Sequence, residues 1–189
     1  MSPIVRADFN FEELVKEAFA FLDDLGFSVI EESSTLVRYR KNSVEVDIYH
    51  GRQSYEIGAG ITAFGARYAI SEIIETLDPN TADQFRYPMA TTRRGIVIGL
   101  ELLSSLMERF GKGALKGDSD VFAKLERQRK RWSEKYELEV LAEQLRPKAQ
   151  AAFRRKDYPT AADLYSRIQE CLSPSEIKKL RFAEEHREA

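Results

Sequence analysis

One stretch, residues 26–61 (GFSVIEESSTLVRYRKNSVEVDIYHGRQSYEIGAGI), constrains the fold more than any other part of the chain. Apolar and polar residues alternate through LVRYR and VEVDIY, the period of a strand with one buried face. A two-residue turn at Lys41-Asn42 predicts Tyr39 opposite Val44, Arg38 opposite Glu45 and Val37 opposite Val46. A second turn at Gly51-Arg52 predicts Ile48 opposite Tyr55, Asp47 opposite Glu56 and Val46 opposite Ile57. Both registers put Val37, Tyr39, Val44, Val46, Ile48, Tyr55, Ile57 and Ala59 on one inner face. Arg38, Arg40, Glu45, Asp47 and Glu56 fall on the other. A first strand is expected near residues 27–31.

A sheet with one apolar face must bury it against something. The preceding segment, residues 11–25, supplies a helix with an apolar stripe of Leu14, Phe19, Phe21 and Leu22. Asn10 and Glu13 fit an N-cap with its reciprocal glutamate, and Gly26 fits the stop. After the meander, a Gly-containing stretch leads to a short helix near 68–77, broken at Asp78-Pro79-Asn80. Residues 81–90 read as irregular, or as one helical turn. A longer helix over 92–110 brings Ile96, Ile98, Leu100, Leu103, Leu106, Met107 and Phe110 to the core, and Gly111-Lys112-Gly113 ends it.

From residue 121 the chain changes character. FAKLERQRKRWSEKYELEVLAEQL is highly charged and reads as one long, solvent-facing helix, with Trp132 and Tyr136 as packing anchors four residues apart. Pro147 marks a break or a first helical turn. Helices are expected over 147–155 and 159–171, and a last one begins at Ser173-Pro174-Ser175-Glu176. The reading is therefore α+β: an N-terminal helix packed on an antiparallel β-meander, followed by a mainly helical C-terminal half. The expected division is an α+β domain over 1–115 and a helical extension or small subdomain over 116–189.

Charge divides along the same line. Residues 1–80 carry 14 acidic and 7 basic side chains, and residues 81–189 carry 17 and 22, so a net charge of −2 hides halves of opposite sign. Neither balance is large enough to imply nucleic acid. The single cysteine, Cys171, excludes an intrachain disulfide and suits a reducing compartment. The N-terminal residues lack the apolar run of a signal peptide, and the most apolar helix is too short and too polar to span a bilayer. A cytoplasmic protein without membrane association is the expectation.

The stretch AQAAFRRKDYPTAADLYSRIQECL resembles part of a tetratricopeptide repeat, with Tyr158, Ala161, Tyr165 and Ile168 near that family's packing positions. No second copy follows at the repeat period, so the resemblance implies a solitary helical hairpin. More broadly, the meander followed by KDYPTAADLY is similar to small uncharacterised bacterial proteins, some of them associated with toxin immunity. That resemblance implies a cytosolic protein that binds another protein. It carries over no functional residues.

No spacing in the chain matches a zinc site or a phosphate loop. His50 reads as a surface histidine beside a turn, and Cys171 as a partly buried thiol. No catalytic residue, cofactor or metal ligand is assigned. Three functions remain in view. The first is a protein-interaction module of inhibitor or immunity type, using Arg38, Arg40, Glu45, Asp47 and Glu56 on the sheet, with Tyr158 and Tyr165 on the helical surface. The second is a small hydrolase-like enzyme using the meander carboxylates, which requires them to share a concave site. The third is a nucleic-acid-binding or regulatory adaptor using the basic residues 124–131. A protein partner is expected and nucleic acid is not.

Overall fold

The computed structural model describes residues 9–187. The chain divides into two compact units, one ending at Arg127 and the other beginning at Gln128.

The first unit is built on a five-stranded antiparallel meander in which every strand pairs with its sequence neighbours: β1 (Ser28–Ser33), β2 (Leu36–Lys41), β3 (Val44–His50), β4 (Ile57–Ala63) and β5 (Ala66–Ala69). The alternation seen in the sequence sets the faces. Val37, Tyr39, Val46, Ile48, Ile57 and Ile61 are fully buried on the inner side. That side is covered by α1 (Phe11–Ala18), α3 (Ile70–Leu77), α5 (Arg93–Phe110) and α6 (Lys112–Leu115). A hydrogen bond of 2.6 Å from Ser104 Oγ to the Ala18 carbonyl fastens α5 to the end of α1.

The registers differ from expectation by even numbers. Tyr39 faces Val46, Arg38 faces Asp47 and Arg40 faces Glu45, a slip of two residues. The turn falls one position later, at Asn42-Ser43, where Asn42 takes the left-handed conformation (φ 53°) that asparagine tolerates. On the other side Val46 faces Ile61, Asp47 faces Gly60 and Ile48 faces Ala59, a slip of four. Residues 51–56 are a loop there, so Tyr55 lies outside the strand and off the predicted inner-face row. Since side chains alternate with period two, an even slip changes partners and leaves the faces unchanged.

Other elements also depart from the sequence reading. The first helix stops at Ala18, and a short α2 (Phe21–Asp24) follows. Asn10 is left-handed and its side chain makes no capping bond, so the predicted cap does not form. Gly26 does end this segment, at φ 84°. The Gly-containing stretch pairs as β5, and Asp78 becomes the N-cap of a further helix, α4 (Pro79–Gln84), accepting from the Thr81 amide. On α5, Ile98 is 57% exposed and is not core.

The second unit holds most of α7 (Ser119–Arg154), with α8 (Tyr158–Ser166), a 3-10 turn (Gln169–Cys171) and α9 (Pro174–Glu185). Helix α7 runs through Pro147 without interruption. Its Ala149 and Ala152 meet Ala161, Ala162, Tyr165, Leu180 and Ala183 in a core rich in small residues. The last helix begins at the segment read from the sequence, and Ser173 and Glu176 form a capping box there. Trp132 is only partly buried and Tyr136 is 68% exposed, so they are not the packing anchors expected.

Candidate functional site

The outer face of the meander carries the charged residues singled out by the sequence, and the structure brings most of them together in pairs. Arg38 donates to Glu31 at 2.6 Å, and Arg40 donates to Glu45 at 2.9 and 2.5 Å. These side chains are substantially exposed, so each pair contributes about 0–1 kcal/mol to stability.

The pair with the most buried carboxylate involves a residue outside the predicted set. Arg67, on β5, donates through Nε and Nη2 to the two carboxylate oxygens of Asp47 at 2.8 and 2.6 Å. Asp47 is 8% exposed. Hydrogen bonding to it, outweighing the effect of burial, holds Arg67 more firmly protonated than usual. Planar, two-point pairing of this kind fixes both side chains. The Arg67 guanidinium also lies 5.8 Å from the centre of the Tyr49 ring.

Glycines on β4 explain why these groups lie flat. A Cβ added at Gly60 would stand 2.6 Å from the Arg67 Cζ, and one at Gly58 would stand 2.3 Å from the Tyr49 Cζ. Tyr49 in turn donates to Glu56 Oε1 at 2.8 Å. Burial first, then the bond to Glu56 and its negative charge, push the Tyr49 phenol above the ordinary tyrosine range. Contrary to the predicted register, Glu56 does not face Asp47, which faces Gly60. It belongs to the Tyr49 end, where it bridges to Met89. Met89 is 73% exposed. Tyr87, close enough to perturb both Tyr49 and Arg67, bonds to Ser71 at 2.9 Å and meets Phe85 edge-on at 4.9 Å.

Sequence reasoning missed Tyr49, Arg67, Tyr87 and Met89. One signal was available for the first two: glycine at alternate positions, Gly58 and Gly60, on one face of a strand marks close approach of something lying across it.

The remaining expectations fare differently. His50 is 1% exposed, not a surface residue. It closes β3, where its ring stacks on Phe11 and its Nε2 lies 2.8 Å from the Ala90 carbonyl oxygen. Tyr165 is fully buried and offers nothing to a partner. Tyr158 is half-buried in an aromatic group with Phe153, Phe182 and His186. Cys171 is partly buried, and its carbonyl accepts from Arg146. Arg146 also pairs with the buried Glu176 at 3.2 Å. Burial opposes ionisation of Glu176, but hydrogen bonds from Ser173 and the Arg146 guanidinium outweigh it and hold the carboxyl below its usual range.

The best-formed cleft of the first unit, about 330 Å³, is lined by Phe21, Asp24, Leu25, Lys41, Glu108, Lys112, Leu115 and Lys116. It takes no side chain from Glu45, Asp47 or Glu56. Among the described residues, no three His, Cys, Asp or Glu side chains gather to hold a metal ion, and no helix is long and apolar enough to cross a membrane. No family model matches this chain, and no curated protein or solved structure matches it either.

Proposed function

We propose that this chain is a protein-interaction module that meets its partner through the solvent-facing side of the meander, centred on Tyr49 and Arg67. One observation carries the reading. Tyr49 and Arg67 are laid flat on Gly58 and Gly60, held by Glu56 and Asp47, beside Tyr87 and the exposed Met89. Tyrosine, arginine and methionine are the side chains enriched where proteins bind one another. Here the tyrosine and arginine are already fixed by their own bonds, so less ordering is left to be done on binding. Arg38, Arg40 and Glu45 extend the same face as a polar border.

The enzyme reading needs carboxylates in a concave site with separated pKa values. Asp47, Glu45 and Glu56 instead sit in ion pairs and hydrogen bonds on an open sheet, which favours recognition over acid–base chemistry. The nucleic-acid reading needs a continuous basic stripe. Glu126 interrupts residues 124–131, and Lys130 is paired with Glu134. The resemblance to immunity-associated bacterial proteins makes a toxin the partner class to try first, and the cytoplasm the compartment in which to seek it.

The test is affinity capture from the source cell with the wild type, Tyr49→Ala and Met89→Asp, each checked for fold by circular dichroism. The expected result is a partner retained by the wild type and weakened about tenfold or more by each variant. Equal retention by both folded variants overturns the sheet-face reading.

A further inference from the structure

A second surface of the first unit is built differently. Strand β1 stands at the end of the sheet, and among the described residues only β2 pairs with it. All six of its residues are exposed. Val29 and Ile30 are 37% and 43% exposed, large apolar side chains on a free edge. Such an edge presents a row of backbone donors and acceptors to any extended chain. The opposite end of the sheet is less available: β5 has four residues and runs straight into α3.

Two features restrict what can pair there. The register of β1 shifts between Val29 and Glu31, a bulge of the sort that deters indiscriminate pairing. The surroundings are also acidic. The strand carries Glu31 and Glu32 and no basic residue, and Glu31 is paired with Arg38 on β2. Glu32 shares Lys16 with Glu13 on α1, two carboxylates to one ammonium group. Asp23 on α2 is exposed and makes no ion pair among the described residues, whereas Asp24 lines the cleft with Lys41, Lys112 and Lys116. Asp23 and Glu32 both lie near enough to the Tyr39 phenol to raise it, after burial itself. Opposite charges across strands are favourable and like charges are not, so the guards against general pairing act as selectors.

We infer that β1 is an addition site for an extended segment of a partner protein that alternates apolar and basic side chains. Backbone bonds to the free edge would hold the segment, Val29 and Ile30 would cover its apolar residues, and the acidic border would choose its charge. This site does not depend on the Tyr49–Arg67 face.

Hydrogen exchange at the amides of Ser28–Ser33 tests it, with a synthetic octapeptide alternating lysine and valine as the probe and the glutamate–valine octapeptide as its counterpart. The lysine peptide is expected to slow the fast-exchanging amides of this strand about tenfold, and the glutamate peptide to leave them unchanged. Ile30→Pro, at the position left unpaired in the ladder to β2, abolishes the effect, and Asp23→Lys with Glu32→Lys weakens it about fivefold or more. Tyr49→Ala leaves it intact. Equal protection by both peptides, no protection by the lysine peptide, protection confined to other strands, or amides already slow without peptide each overturn the inference.

Discussion

Removing Arg67 tests the link between the buried carboxylate and the fixed outer face. In Arg67→Met, Asp47, 8% exposed in the wild type, loses both hydrogen bonds, at 2.8 and 2.6 Å. A hydrogen bond to a charged group is worth about 1.5–3 kcal/mol, and breaking a fully buried pair costs about 3–5. The Arg67 side chain is 42% exposed, so water can reach part of the vacated site and the lower range applies. Arg38, facing Asp47 across β2 and β3, can also turn towards it. The expected cost is about 2 kcal/mol. Asp47→Asn keeps the shape and removes the charge. A double-mutant cycle should give a coupling of about 1–2 kcal/mol. The only tryptophan, Trp132, lies in the second unit, so its fluorescence is the wrong probe. Hydrogen exchange of the β3 and β4 amides, or tyrosine near-ultraviolet dichroism in urea, follows the first unit instead. Gly60→Ala gives an independent check. Its new Cβ would stand 2.6 Å from the guanidinium carbon, so the arginine must lift, and the cost should shrink in the Arg67→Met background. A coupling at or below about 0.5 kcal/mol would refute the view that this pair is a fixed unit.

Other outcomes follow from single groups. Tyr39 has a buried hydroxyl without a hydrogen-bond partner among the described residues, so Tyr39→Phe should be neutral or stabilising by up to about 1 kcal/mol in urea denaturation. Burial, then Asp23 and Glu32, push its phenol from 10 up to about 12. The folded state thus holds this proton more tightly than the unfolded chain does. That stability is present below pH 10 and is lost as the pH rises to about 12, and Tyr39→Phe should flatten the decline. Glu176 behaves in the opposite sense. Its carboxyl is lowered from 4.5, so its stabilisation is present above that pH and disappears as the pH falls through the folded value. Glu176→Gln should cost about 1–2 kcal/mol at neutral pH, read by Trp132 fluorescence, and progressively less in acid. Gly58→Val should displace Tyr49 from its ledge, and loss of the Glu56 bond should bring the Tyr49 phenol down in an ultraviolet pH titration.

The faces of the sheet were legible because alternation is a local property, whereas the partners were not. Val37, Tyr39 and Val46 are inside in either register, since slips of two and four residues preserve parity. What failed was turn placement. Asn42-Ser43 replaced Lys41-Asn42, and a loop over residues 51–56 replaced a tight turn at Gly51-Arg52. His50 changed from a turn residue to a buried one for that reason. Pro147 normally argues for a helix end, since it removes a donor and crowds the preceding turn. Its neighbours Leu145 and Ala149 are buried in the second unit, and that packing outweighs the local preference. The candidate site was half legible. Arg38, Arg40, Glu45 and Asp47 occur in strands with a clear pattern. Arg67 occurs in ARYA, too short for periodicity to distinguish strand from helix.

The order of the strands also bears on how the first unit is reached from the unfolded chain. With each ladder joining sequence neighbours, every hairpin closes across a short loop and little chain entropy is lost at each step. The seam between Ser104 and Ala18 is another matter, because it joins positions 86 residues apart. Assembly of the sheet is thus separable from the docking of α5. Mutations in the hairpin turns should alter the refolding rate, and those at the α1–α5 seam chiefly the rate of unfolding.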